Sequence, residues 1–164
     1  MKRGRPTWSE KLLQAPAPHT VLLERSFADV PSGSHLLIPS PAVVDQFVRT
    51  LPSGTTLTVK ELRQQLARLA QADHTCPLTT GIFLRIVAEA AWEQFQAHQD
   101  LTQITPFWRV VDPQSPLARK LACGKEFIQK QRDREHVAAT PPSLLHSPTV
   151  RSRKAKSTVP QIRQ

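Results

Sequence analysis

The residues able to do chemistry in this sequence are few and fall in small groups. Cys76 stands two residues after His74 and directly before Pro77, at what reads as a helix start. A helix N-terminus lowers a thiol's pKa, so Cys76 is a candidate nucleophile with His74 beside it, and Cys123 is the only other thiol. His74 and Cys76 also form half of a metal site, but no second pair at ligand spacing completes it, which argues against zinc. Thr79, Thr80 and Gly81 follow Pro77; hydroxyls and backbone N–H groups at a helix N-terminus suit phosphate contact, while capping and close packing at Gly81 are the equally open reading. Arg85 lies further along the same segment. Arg119, Lys120 and Lys125 are three cations with no acid between them, suited to a DNA backbone or to a solvated helix face. Phe107 and Trp108 are adjacent aromatics, either a base-stacking pair, at roughly 1–3 kcal/mol per base, or core. Strand alternation would put Phe107 with Arg109 on one face and Trp108 with Val110 on the other, so at least one of the pair belongs to the core. Arg109 either contacts phosphate or holds the loop after the strand. Gly-rich phosphate loops, paired carboxylates and Ser-His-Asp arrangements are missing, and no cofactor or metal is expected.

Several helices are needed to position these groups. Ser40 as N-cap and Pro41 at the first position open a helix in which Val44, Phe47, Val48 and Leu51 fall at helical spacing, and Pro52-Ser53-Gly54 closes it. Thr58 and Glu61 form a capping box ahead of Val59, Leu62, Leu66 and Leu69, and the helix should end near Gln71. Pro77 opens a third helix running to about His98. Its two stripes, Leu78-Ile82-Ile86-Ala90 and Phe83-Val87-Ala91-Phe95, imply burial around much of its circumference. Pro106 and Val110-Val111 suggest an extended stretch over 104–111. A turn at Asp112-Pro113-Gln114-Ser115-Pro116 leads to a charged, weakly amphipathic helix from Leu117 to about Val137. Ahead of these, Trp8 sits in a patch of one or two helical turns, and Ser34 to Pro39 suits a short strand.

Composition sets further bounds. Proline is abundant, 15 of 164 residues, against a typical share of about 5%, and points to irregular ends around a smaller folded centre. Of the net charge of +9, residues 138–164 contribute +5 and residues 1–11 contribute +3, which leaves +1 for the centre. Basic ends favour polyanions through counterion release, and they serve equally as solubilising tails. With no apolar run after the basic start and no stretch near the roughly 18 apolar residues of a membrane span, the sequence is expected to be cytoplasmic with reduced thiols.

Two helices, a short turn and a following strand are the order of a winged helix-turn-helix. The segment Thr105-Pro106-Phe107-Trp108-Arg109-Val110-Val111 resembles the active-site strand of the O6-alkylguanine-DNA alkyltransferases, Pro-Cys-His-Arg-Val followed by Val or Ile. Pro106, Arg109, Val110 and Val111 match that motif. Phe107 stands in place of the alkyl-accepting cysteine and Trp108 in place of its histidine. Upstream, Leu51 to Leu69 and Thr80-Gly81 resemble the family's capped helix and recognition helix. The wording Cys76-Pro77-Leu78-Thr79-Thr80-Gly81-Ile82-Phe83, with Trp8-Ser9-Glu10-Lys11-Leu12, is similar to a group of small uncharacterised bacterial proteins of the same superfamily. The resemblance spans about residues 41–136, or 7–136 for the narrower group. By this resemblance Leu78 takes the place of the arginine that fills the gap left by a flipped base, and Val59 lies near that of the tyrosine that rotates the nucleotide out. Arg109 matches a largely structural position. Alkyltransferase-like proteins, which bind alkylated DNA without repairing it, also lack the cysteine, but keep the histidine that Trp108 replaces here.

The resulting expectation is a mostly α fold. An irregular extension over 1–40 would precede a winged helix-turn-helix-like domain with a short β element over 41–137, followed by a disordered basic tail over 138–164. The expected function is non-catalytic binding of double-stranded DNA, with sensing of alkylated or altered bases. Thr79, Thr80, Gly81, Arg85, Arg109, Arg119, Lys120 and Lys125 would meet DNA; Phe107, Trp108 and Leu78 would line a base pocket. The alternatives are a thiol enzyme accepting an alkyl group on Cys76, and a protein-interaction or regulatory domain without nucleic acid.

Overall fold

The computed structural model describes residues 4–139; of the tail expected over 138–164, residues 138 and 139 belong to the last helix and the rest lies outside the described residues. The described residues form a mixed α/β fold of five α-helices and one three-stranded sheet. In chain order these are α1 (Trp8–Leu13), β1 (His19–Leu22), β2 (His35–Ile38), α2 (Pro41–Thr50), α3 (Val59–Leu69), β3 (His74–Thr75), α4 (Pro77–His98) and α5 (Gly124–Ala139), with 3-10 turns at Phe107–Arg109 and Ala118–Lys120. None of the described helices is long and apolar enough to cross a membrane.

The local signals act where the sequence places them. The Ser40 hydroxyl accepts from Val43 N–H and Pro41 sits in the first turn of α2, which stops before Pro52. Thr58 and Glu61 close a reciprocal capping box on α3, and Gln71 turns the chain out of the helix at φ +53°. Leu62 and Leu66 of α3 meet Val44 and Val48 of α2 and Leu84, Val87 and Ala91 of α4 in one fully buried core.

Other expectations need correction. The extension expected over 1–40 is not irregular in its described part. Thr7 and Glu10 cap α1, and β1 pairs antiparallel with β2, His19 opposite Ile38. β2 then pairs in parallel with β3, inside the turn joining α3 to α4, with Leu37 opposite Thr75. Arg63 of α3 locks this joint: it donates to Thr75 O at 2.9 Å and grips Asp29 with two nitrogens at 2.9 and 2.8 Å.

No strand forms over 104–111. Ile104, Thr105, Pro106, Phe107, Trp108, Val110 and Val111 are all buried, so the side chains have no solvent face to alternate towards. The backbone acceptors are met without a neighbouring strand. Arg132 donates to Trp108 O at 2.6 Å and Val111 O at 3.1 Å, and Leu57 N–H donates to Arg109 O at 2.8 Å. The last helix starts later than its charge pattern suggests, because Leu121 is extended and Gly124 takes φ +75°, a value that strains any residue with a Cβ.

Candidate nucleic-acid interface

Along α4 only one of the two apolar stripes is consistently covered. Val87 and Ala91 are buried, and Phe83 and Phe95 pack partly against the core. Leu78 and Ile82 face solvent at 60% and 50% exposure. They border a cleft of about 740 Å³ between the first turn of α3, the first two turns of α4 and the loop after Val110. Its floor is apolar, with Leu57, Val110, Val111 and Leu117, and its rim carries Arg85, Lys120 and Arg132 against Glu61 and Asp112. The two acids are engaged locally: Glu61 caps α3, and Asp112 accepts from Gln114 N–H at 2.7 Å. The hydrogen bonds from Thr58 hold the Glu61 carboxyl below its usual value.

The structure brings only part of the expected DNA-facing group to this cleft. Gly81 lines it, and a Cβ there would meet open space, so Gly81 does not serve close packing. Arg85 lies with Nε 3.8 Å from Glu89 Oε1 and its guanidinium 5.4 Å from the centre of the Trp8 ring, and its Nε makes no hydrogen bond among the described residues. Lys120 is exposed at the rim and Arg119 is exposed beside it; neither forms an ion pair among the described residues. Thr80 is fully buried, and its hydroxyl donates to Cys76 O at 2.6 Å, so it is not available to phosphate. The Thr79 hydroxyl is buried and makes no hydrogen bond among the described residues. Lys125 lies on another face, beside Gln114 and Lys130 on α5.

Arg109 points inward. It binds the Glu135 carboxylate at 2.7 Å and donates to Leu51 O, with both charged side chains about 15% exposed. Glu135 also accepts from Trp108 Nε1 at 2.9 Å and from Gly54 N–H at 3.0 Å. This group ties α5 to the turn after α2 and rules Arg109 out as a DNA contact. Helical spacing places Ile128, Arg132 and Glu135 on one face of α5, the signal by which sequence reading could have found the inward-facing Arg132 and Glu135. Nothing local identifies their partners, 21 to 27 residues away for the hydrogen bonds of Arg132, Arg109 and Trp108.

The expected base pocket is filled. Phe107 has no exposed surface and Trp108 is 4% exposed. They meet edge-on with ring centres 5.6 Å apart, and Phe107 stacks on Phe127 at 6.2 Å. Both are core, so of the three expected pocket residues only Leu78 reaches the cleft.

The thiols are equally withdrawn. Cys76 is buried under the β1–β2 hairpin with Val30 and Leu36. Cys123 is half-buried, and burial, with Glu89 nearby, pushes its pKa up to about 11. A thiol reagent at pH 7 is therefore expected to modify neither cysteine at an appreciable rate in the folded protein and both after denaturation. Rapid labelling of one thiol in the native state would contradict this arrangement. Comparison of the chain with protein-family models, with curated proteins and with solved structures finds no match.

Proposed function

We propose that the chain is a non-catalytic binding module for double-stranded DNA, in which α3, the turn and α4 act as a helix-turn-helix and the first two turns of α4 enter a groove. The observation carrying this reading is the open face of α4: Leu78 and Ile82 exposed, Gly81 beside open space, and Arg85, Arg119 and Lys120 along the edge. The basic residues at 1–11 and 138–164 add sequence-independent attraction. Leu78 is an apolar side chain of the kind that wedges between bases, and it supports the sensing of altered bases. The buried thiols support binding without transfer.

A short duplex, plain or carrying O6-methylguanine, titrated at 50 and 200 mM salt tests this. Affinity is expected to fall at least about fortyfold over that range. Replacing Arg85, Arg119 and Lys120 by Ala should flatten the dependence of log K on log[salt] by about 2.7, or about 0.9 for each phosphate no longer neutralised. No binding, or affinity indifferent to salt, overturns the proposal; equal affinity for the two duplexes removes lesion sensing alone. A second reading rests on the apolar floor of the cleft, which suits a protein segment. It predicts no retention on a DNA column and no effect of the three substitutions there.

A further inference from the structure

Strand β1 forms one edge of the sheet, and all four of its residues are exposed. Leu23 N–H donates to Ser34 O at 2.9 Å, so the pairs in step with it, Val21 with Leu36 and His19 with Ile38, turn their N–H and C=O groups towards β2. On β2, His35 O and Leu37 O accept from Asp73 N–H at 3.0 Å and Cys76 N–H at 2.8 Å, on the β3 side. Their partners on β1, Leu22 and Thr20, therefore turn N–H and C=O outward, away from the sheet. Exposed edges are commonly blunted by a charge, a proline or a bulge. His19–Leu22 contains none of these, and no Asp, Glu, Lys or Arg lies between Leu12 and Leu23. Pro18, just ahead of the strand, has no N–H to offer, which confines the open edge to Thr20 and Leu22.

These outward groups are self-complementary. Set antiparallel about a two-fold axis at Val21, Thr20 of one copy faces Leu22 of the other, and every outward N–H meets an outward C=O. An axis at Thr20 would set Leu22 against Pro18, and an axis at Leu22 would set Thr20 against Glu24 in the bend beyond the strand. Charge permits the pairing, because no charged side chain of the strand meets its own copy and Val21 meets Val21. On the face that Thr20 shares with Leu37, an apolar groove of about 500 Å³ is lined by Pro18, Leu37, Phe47 and Leu69. The same register brings the second copy's Leu22 to this face beside Thr20 and diagonal to Pro18, where Leu22, 60% exposed in the single chain, gains apolar neighbours. We propose that β1 is the docking edge for a second copy of this chain, joining two three-stranded sheets into one of six strands. Pairing of so short a strand buries less than the standard interface of about 1,600 Å², so the dimer is expected to dissociate at roughly 10–100 µM. The inference is independent of the DNA-binding reading.

Sedimentation velocity of the full-length chain, free of nucleic acid, tests this over about 5 to 500 µM, a range that brackets the expected dissociation constant. The average mass is expected to rise from monomer towards dimer. Thr20→Pro removes an outward N–H from each copy and no bond within the protomer, so it should weaken association about thirtyfold with the melting temperature nearly unchanged. Val21→Lys sets like charges across the axis and should weaken association at least about tenfold. An equal mixture of Val21→Lys and Val21→Glu should associate again, since opposite charges then meet. Circular dichroism checks that each variant is folded, and Thr20→Pro carries the test by itself if the Val21 variants unfold. A parent that stays monomeric throughout, association indifferent to Thr20→Pro, or a folded Lys–Glu mixture no tighter than either variant alone overturns the proposal. Each of these results leaves the DNA-binding module standing.

Discussion

Phe107→Cys is expected to lose about 3 kcal/mol of stability, within the range for emptying a buried aromatic site, and to create no alkyl acceptor. The substitution puts a thiol where the alkyltransferase motif carries one, so activity would be the outcome if sequence position alone placed the nucleophile. Phe107 has no exposed surface and lies among Trp108, Phe127 and the apolar core residues of α4. A sulfur there would face a cavity, and no substrate could approach it. Adding Trp108→His would not help, because the Trp108 ring is spent on the core and its Nε1–H on Glu135. Denaturant unfolding measures the loss, and mass spectrometry after incubation with O6-methylguanine DNA measures transfer. A methyl gain on residue 107 would mean that the segment faces a substrate site.

Glu135→Ala should be comparably damaging, at about 3 kcal/mol, because it leaves Arg109, the Trp108 indole N–H and the Gly54 N–H without their acceptor. Burial raises the Glu135 carboxyl, but the hydrogen bonds from Arg109, Gly54 and Trp108 and the charge of Arg109 bring it below its ordinary value of 4.5. The folded protein therefore takes up this proton less readily than the unfolded chain. The stability it contributes is complete above the unfolded value near 4.5 and is lost as pH falls through the lower folded value. Unfolding curves of the parent and Glu135→Ala should lie furthest apart at neutral pH and converge as the solution is acidified below 4.5. A constant gap from neutral pH to the acid limit would show that the carboxylate contributes only its shape.

The contrast between these two positions shows how far sequence reasoning reaches. Ser40, Thr58 with Glu61, Pro41 and Pro77 specify helix starts through groups within three residues of each other, and α2, α3 and α4 begin where those signals stand. Covalent connection already holds such partners close, so their pattern is visible in one dimension. The periodicity of α4 is visible too, but not which stripe is covered: Leu78 and Ile82 are as apolar as residues of the buried stripe, yet they stay exposed at the edge of the cleft.

By itself, then, the sequence determined the capped helices and the gathering of charge at the ends. Tertiary structure alone decided that residues 104–111 fold inward without a strand, that Arg109 belongs to Glu135, and that β1 and β2 join the turn before α4. Each of these depends on groups brought together from 21 or more residues apart for the α5 contacts, and 38 for the joint of Leu36 with His74. Burial on all sides erases alternation, and a side-chain donor can replace a strand as partner for the backbone.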